Sequence, residues 1–507
     1  MAVTSVRSIS LLGLTGTLVD IEIDISDGLP VYTLLGLPDS ALIESKDRIR
    51  AALVNSGEAW PNRKVTVSLT PAWLPKSGSN FDLPIAVGLL RVQSHLPIID
   101  SESEVIIGEL GLDGQIRQVR GVLPALLAAK QFGIRRAIVP AGNYQEACLV
   151  NDLEINAFST LRELLLYLRT GEKAESLTLD LPLNDHSEAN DLMDVMGQLN
   201  ARAALEVSAI GGHHLLFIGP PGTGKTMLAQ RIPGILPELT NEQALEVTAI
   251  HSIAKSLNSG EIFRKAPPFV APHHTTTATA MVGGGSHVIK PGAVSLAHNG
   301  VLFIDEAPEC STGVLDSLRQ PLESGEVSIS RAVGSVNFPA RFILVLAANP
   351  CPCGKFSGKG RSCTCSSQQI RRYSTKLSGP LLDRIDIRLQ VDPPTRSDLA
   401  SNELGESSAI VRSRVESARE IAAARFKQYP WKTNSQIPAK YLRSEFRAER
   451  SAMALLHIEL ERENLSARGF HKTLRLAWSI ADQNRNQTPT KENVQTAIAM
   501  RMGSDLL

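Results

Sequence analysis

Short apolar runs alternate with amphipathic stretches through the first third of the chain. LVDIEIDI, RKVTVSL, EVIIGEL and RAIVP have the apolar density and period of strands, whereas ALIESKDRIRAALVNSG and LPALLAAKQFG repeat their apolar positions at helical spacing. This alternation predicts an α/β unit over residues 1–168. Residues 169–190, RTGEKAESLTLDLPLNDHSEAN, are polar and aperiodic and read as a linker. From 191 to 392 apolar strands run into glycine-rich junctions and then helices, the pattern of a second α/β unit. After VDPPTRSD the pattern changes again: AIVRSRVESAREIAAARF, AERSAMALLHIELEREN, KTLRLAWSIADQ and KENVQTAIAMRM predict a helical unit over 393–507.

A chain of 507 residues with 43% hydrophobic and 21% charged positions has room for two to four domains, each with its own core. The opening MAVTSVRSISLLGLTG lacks a basic segment followed by a sustained apolar run, and no stretch reaches eighteen apolar residues, so the expectation is a cytoplasmic protein without a membrane partner. Basic and acidic residues balance at 52 each, but their distribution is uneven. Between Glu326 and Asp383 lie Arg331, Arg341, Lys355, Lys359, Arg361, Arg371, Arg372 and Lys376 with no acidic residue among them. Such a stretch is either a solvated basic face or a track for a phosphate backbone.

Three apolar strands end in chemistry. Leu215 to Ile218 runs into Gly219, Pro220, Pro221, Gly222, Thr223, Gly224, Lys225 and Thr226 and then a helical run, the context of a phosphate-binding loop. There, glycines let backbone N–H groups wrap the phosphates of ATP, Lys225 reaches the outer phosphates, and the Thr226 hydroxyl is placed for Mg2+. Val301 to Ile304 ends in Asp305 and Glu306, whose side chains alternate on a strand end and so can do different work: Asp305 on the Mg2+ shell, Glu306 polarising the attacking water. FILVLAAN ends in Asn349, an amide that can orient that water or cap its own strand. In LSGPLLDRIDI, Arg384 either pairs locally with Asp383 or Asp386, or reaches the ATP of a neighbouring subunit.

Together with LSARGFHKTLRLA and the segment PHHTTTATAMVGGG at 272–285, these motifs resemble an AAA+ ATPase of the magnesium-chelatase-like branch, and within it the YifB/ComM group, over essentially the whole chain. The resemblance implies a P-loop αβα core followed by a helical lid, and ATP-driven homo-hexameric DNA helicases that promote branch migration when transforming DNA is integrated, with recombinase or loading partners. Lys225 and Thr226 match the Walker A positions, Asp305 and Glu306 Walker B, Asn349 sensor 1, Arg384 the arginine finger and Arg468 the sensor 2 arginine. Gln198 in DVMGQ matches a position near the adenine. Arg475 shares the helical run of Arg468, and spacing alone allows either to face the nucleotide; Arg468 is favoured by its place at the helix start. GEVSISRAVGSVNFPARF reads as a hairpin turning near Ala332 to Ser335, which in this branch points into the ring channel; segment 275–285 matches the other channel loop. Arg331, Lys355, Lys359 and Arg361 become the DNA-contact candidates.

Residues 1–168 resemble the proteolytic domain of Lon, an S5-type α/β fold, through PKSGSNFDLPIAVGLL and GELGLDGQIRQVRGVLPALLAAKQFGIRRAIVP. That chemistry needs a serine activated by a lysine of lowered pKa. The serine position falls on Asn80 and the lysine on Leu123, so the domain is expected to be catalytically dead; Lys76, Ser77 and Ser79 are nearby in sequence, and a shifted dyad among them would require the loop to be re-aimed. The competing activities are an ATP-dependent protease or unfoldase and a metal-insertion ATPase subunit.

Four of six cysteines, Cys351, Cys353, Cys363 and Cys365, fall within NPCPCGKFSGKGRSCTC as two C-x-C pairs. Zinc tetrahedra more often use C-x2-C spacing, yet two such pairs can converge on one structural Zn2+, and nearby cations favour thiolates. Reversible disulfides or free thiols are the alternatives.

Overall fold

A computed structural model describes residues 2–76, 78–97, 101–172, 190–254, 263–285, 289–331, 334–356, 362–393 and 405–503. No helix among them is long and apolar enough to cross a membrane.

The middle of the chain builds a five-stranded sheet in the order Phe269–Val270, Val301–Ile304, Ile343–Ala348, Leu215–Ile218, Ile387–Gln390, with every neighbouring pair parallel. Val301–Ile304 and Ile343–Ala348 are buried along their whole length, as strands covered on both faces must be. One face, with Phe217, Phe303, Val345 and Ile387, shares its core with the helix Leu199–Gly211 and with the C-terminal helices Ser408–Arg425, Ala467–Gln483 and Lys491–Met502. The other face, with Leu216, Leu302, Ile304 and Leu346, packs against a two-stranded hairpin, Glu326–Arg331 paired with Gly334–Pro339. Because all five strands are parallel, the tips ending in Gly219, Asp305 and Asn349 lie on one edge of the sheet. His214 and Asp386, which precede their strands, lie on the other.

The N-terminal part contains a four-stranded sheet, in which Ala2–Leu12, Thr15–Ser26 and Lys64–Thr70 run antiparallel and Tyr32–Leu35 joins the edge in parallel, and a three-stranded parallel sheet formed by Glu104–Ile106, Arg136–Pro140 and Glu154–Phe158. Its last helix, Leu161–Thr170, extends two residues past the expected boundary at 168 and ends on Gly171 at φ 75°. Most of the predicted linker, 173–189, lies outside the described residues.

Among the described residues, contacts at two places and the packing of Ala249 into the N-terminal core tie this part to the middle sheet unit. The turn Leu12–Leu14 lies on the apolar face of the hairpin, so close that a Cβ on Gly13 would stand 2.1 Å from Val336 Cγ1. Nearby, the Gly121 N–H donates to Ser252 Oγ at 3.0 Å, and that hydroxyl bonds the buried Glu146 carboxylate. Burial pushes the pKa of Glu146 up, with Ser252, the Leu123 N–H and Asn143 pulling against it.

Candidate functional site

At the tip of Leu215–Ile218 the chain turns so tightly that a Cβ on Gly219 would come within 2.2 Å of the Val391 carbonyl oxygen. Gly222 and Gly224 take φ of 79° and 88°, conformations that favour glycine. The loop leads into the helix Lys225–Gln230. Lys225 is nearly buried, and its Nζ donates to the Gly219 and Pro220 carbonyls at 2.7 and 2.8 Å and to Asn349 Oδ1 at 3.2 Å. Burial lowers its pKa, while Asp305 and Glu306 oppose the shift. Thr226 Oγ1 donates to Asp305 Oδ2 at 2.7 Å. A hydroxyl and a carboxylate in contact are hard oxygen donors of the kind Mg2+ takes. The strand-tip residues named from sequence thus converge.

Glu306 adopts φ 48° and ψ 42°, a left-handed conformation uncommon outside glycine, and its N–H donates to Asp305 Oδ1 at 2.8 Å. Its Oε2 lies 3.4 Å from His274 Nδ1. His273 and His274 line a cavity of about 320 Å³ with Thr226, Gln230, Asp305 and Glu306. Sequence reasoning used His273 and His274 only as part of the family motif at 272–285, with 275–285 as a channel loop, and missed His274 at the carboxylate; two adjacent histidines were the available signal. Gln198 sits at φ 54° ahead of its helix and donates through Nε2 to the Asp392 carbonyl at 2.6 Å, just beyond the strand next to Leu215–Ile218.

Arg384 and Arg468 are not at this site. They lie across the sheet, on the edge of His214 and Asp386, and line a cavity of about 1000 Å³ with Glu323, Lys472 and Arg475. A four-residue strand spans roughly 13 Å, so neither guanidinium reaches the phosphate loop of its own chain. The local partner of Arg384 is neither Asp383 nor Asp386 but Glu323, which forms an ion pair with its Nη2; Arg468 Nη2 stands 3.3 Å from the same oxygen. Asp386 is occupied by Lys472 Nζ at 2.6 Å. Arg475 donates to the Ile437 carbonyl at 2.8 Å, so it does not face the phosphate loop either. The C-terminal helices, expected to form a lid, contribute to this second cavity, not to the lining of the one beside Asp305.

The cysteines converge. Cys351, Cys353 and Cys363 sulfurs are 3.3 to 3.7 Å apart, and one Sγ from each of the four cysteines lies within 4.8 Å of the others. A tetrahedron with Zn–S bonds of about 2.3 Å has edges of about 3.8 Å, so this donor set fits zinc, and none of the pairs is at the ~2.05 Å of a disulfide. Without an ion the four thiols share their protons unequally: the Lys355 N–H and the Cys351 thiol lower Cys353 to about 6, whereas the neighbouring thiols help raise Cys363 and Cys365, so the case for a metal rests on the sulfur geometry. The cluster also touches the nucleotide loop: a Cβ on Gly354 would lie 2.6 Å from Pro221 Cδ.

Of the DNA-contact candidates, Lys355 is exposed beside the cysteines and Arg331 ends the first hairpin strand opposite Gly334; Lys359 and Arg361 lie outside the described residues, as do 332–333 at the hairpin turn. The hairpin turns Ser328, Ser330, Ser335 and Asn337 outward and Val327, Ile329, Val336 and Phe338 inward. In the N-terminal part, Asn80 donates to the Ile9 carbonyl and Leu123 is fully buried. Lys76 Nζ is buried and held by the Leu69 carbonyl at 2.8 Å and by that of Pro71, while Ser79 donates to Glu109. Ser77 lies outside the described residues, so the shifted pair is described only for Lys76 and Ser79, whose polar atoms have other partners.

The profile described as magnesium chelatase, subunit ChlI, matches residues 191–399; that for subunit ChlI of Mg-chelatase matches 21–143, and the ChlI C-terminal profile matches 405–501. An uncharacterised protein of Mycobacterium tuberculosis is 48% identical, with 99% of each chain covered. Competence protein ComM of Haemophilus influenzae is 40% identical over 99% of this chain and 98% of its own, and the uncharacterised protein YifB of Escherichia coli is 40% identical over 100% and 98%.

Proposed function

The chain belongs to the magnesium-chelatase ChlI-like ATPase family that includes ComM and YifB, and on that premise we propose that it is an ATP-driven DNA translocase working as a homo-hexamer in branch migration during recombination of transforming DNA. Lys225 and the loop amides hold the phosphates of ATP; Thr226 and Asp305 would hold Mg2+, which would supply neutralisation of the developing negative charge. Glu306 polarises the attacking water, Asn349 orients it, and Gln198 borders the adenine. Arg384 and Arg468 act on the nucleotide of the next subunit. A structural Zn2+ on Cys351, Cys353, Cys363 and Cys365 fixes the loop packed on Pro221. The N-terminal domain, a proteolytically dead Lon-like unit, is a scaffold that braces the hairpin.

The observation that carries the DNA reading is the hairpin's outward row of hydroxyls and an amide, in a sequence interval, Glu326 to Asp383, that holds eight basic residues and no acidic ones between its ends. Groups of that kind grip a phosphate backbone without reading bases. The test is hydrolysis and strand displacement on forked and three-stranded DNA, with Lys225→Ala as the inactive control. The expected result is DNA-stimulated hydrolysis with displacement; wild-type protein showing neither refutes the motor. ATP-dependent cleavage of casein would favour the protease instead.

A further inference from the structure

We propose that Glu323 is a latch: it holds Arg384 and Arg468 in the free subunit and surrenders them to the γ-phosphate of a neighbouring copy, so that nucleotide docking is transmitted to the hairpin that follows it. This rests on the reading that both arginines act across a subunit interface.

Two guanidiniums from distant parts of the chain meet on one carboxylate oxygen, Glu323 Oε1. Arg384 is held in place by Nη1 donating to the Pro380 carbonyl at 2.7 Å, and its Nε is buried without a partner. Three cations near them are held by other groups: Lys472 is with Asp386, Arg419 Nε donates to the Ala209 carbonyl at 2.9 Å, and Arg475 Nε donates to the Ile437 carbonyl at 2.8 Å. Asp383 lies 4.0 Å from Arg468, at the limit of an ion pair. Two planar donor forks facing mainly one carboxylate are under-neutralised, and a terminal phosphate, with three oxygens and greater charge, satisfies both better. The side chains of Glu323 and Arg468 are about half exposed, so an incoming anion has access to them.

Glu323 is also mechanically connected. It lies on the short helix Arg319–Ser324, which ends at Gly325 with φ 72° and passes directly into the strand Glu326–Arg331. Ser324 Oγ donates to the Glu326 carbonyl at 2.8 Å and the Ala340 N–H donates to the Gly325 carbonyl at 2.8 Å, so both hairpin strands are bonded to the end of that helix. Movement of Glu323 away from the arginines moves the hairpin's base.

The test compares wild type, Glu323→Gln and Arg384→Ala for ATP hydrolysis as a function of subunit concentration, with and without DNA. Loss of an exposed ion-pair network that competes with assembly lowers the half-activating concentration of Glu323→Gln by roughly three- to ten-fold, and the DNA stimulation of that variant falls below half of the wild-type value. A Glu323→Gln variant that activates at the wild-type concentration, or only at a higher one, while Arg384→Ala binds ATP without hydrolysing it, overturns the latch and leaves the ring reading standing. Full activity in Arg384→Ala overturns the ring reading as well. Amide exchange over 319–331 in wild-type protein gives a second reading: a non-hydrolysable ATP analogue that assembles the ring should speed it, and unchanged exchange in the assembled ring overturns the latch.

Discussion

Acid should destabilise the sheet and its C-terminal helices through His213. This residue is fully buried; its Nε2 is 2.8 Å from Ser479 Oγ, and its Nδ1 is buried with no partner. A second proton would place an unpaired charged N–H in the core, and burial accordingly lowers its pKa from 6.5 to about 4, against the pull of Asp386. The unfolded chain takes up this proton near pH 6.5, whereas the folded chain refuses it until about pH 4, so stability is full above 6.5 and is lost as pH falls through that window. From pH 8 to pH 5 the loss from this one residue is about 2 kcal/mol. His214, whose Nδ1 accepts the Leu344 N–H at 3.1 Å, also has its pKa lowered to about 4 by burial and adds in the same direction. Burial would raise Asp386, but the Lys472 ammonium and its hydrogen bond outweigh it and keep the carboxylate charged throughout this range. Urea midpoints at pH 8, 6.5 and 5, read by the fluorescence of Trp431 and Trp478 in the same core, measure the slope. Wild type should lose about 2 kcal/mol more than His213→Gln over this interval; equal slopes refute the reasoning.

Removing the amide of Asn349, which touches Lys225 Nζ at 3.2 Å, should lower kcat by about 100-fold with ATP affinity nearly unchanged, as steady-state kinetics and nucleotide titration would show. The Cys363→Ser, Cys365→Ser double variant should purify without the one zinc per chain expected of wild type; equal metal in both proteins ends the zinc assignment. Gly354→Val forces a β-branched residue into φ 72° and a Cβ to 2.6 Å from Pro221, and should weaken ATP binding by about ten-fold in a fluorescent-analogue titration.

The strand-tip site was legible because each strand is a continuous apolar run whose next residue is polar, and parallel pairing then fixes which tips share an edge. The four cysteines were legible as a group for a similar reason, since a short loop limits where they can be. What the sequence does not contain is which edge a residue occupies when its partner is far along the chain. Arg384 looked like a residue with two acidic neighbours, Asp383 and Asp386; in the fold Lys472 takes Asp386, and Glu323, remote in sequence, takes the arginine. Arg468 and Arg475 were indistinguishable by helical spacing, and the packing of their helix turns both toward the cavity on the far edge. The hairpin was read correctly as a hairpin, but its apolar face is matched by the turn Leu12–Leu14 from the N-terminal part, a complementarity that periodicity cannot reveal.

The separation of the two edges constrains how such a chain can complete its own site. Phosphates bound at Gly219 to Thr226 lie across the sheet from Arg384 and Arg468, and a flexible side chain cannot cross four residues of strand. A two-fold dimer must satisfy both edges at once in a single self-complementary contact, which would bring two phosphate loops and two arginine pairs into one interface. A head-to-tail contact has no such requirement: each junction takes one loop from one copy and one arginine pair from the next, and the same contact repeats until the rotation closes a ring. In that arrangement the two expectations for Arg384, local pairing and delivery to a neighbour, describe two states of one side chain. On the proposed ring reading, the ion pair with Glu323 belongs to the unassembled subunit, and assembly would exchange that carboxylate for phosphate. ATP binding alone then leaves a lone subunit unable to hydrolyse, however well formed its phosphate loop.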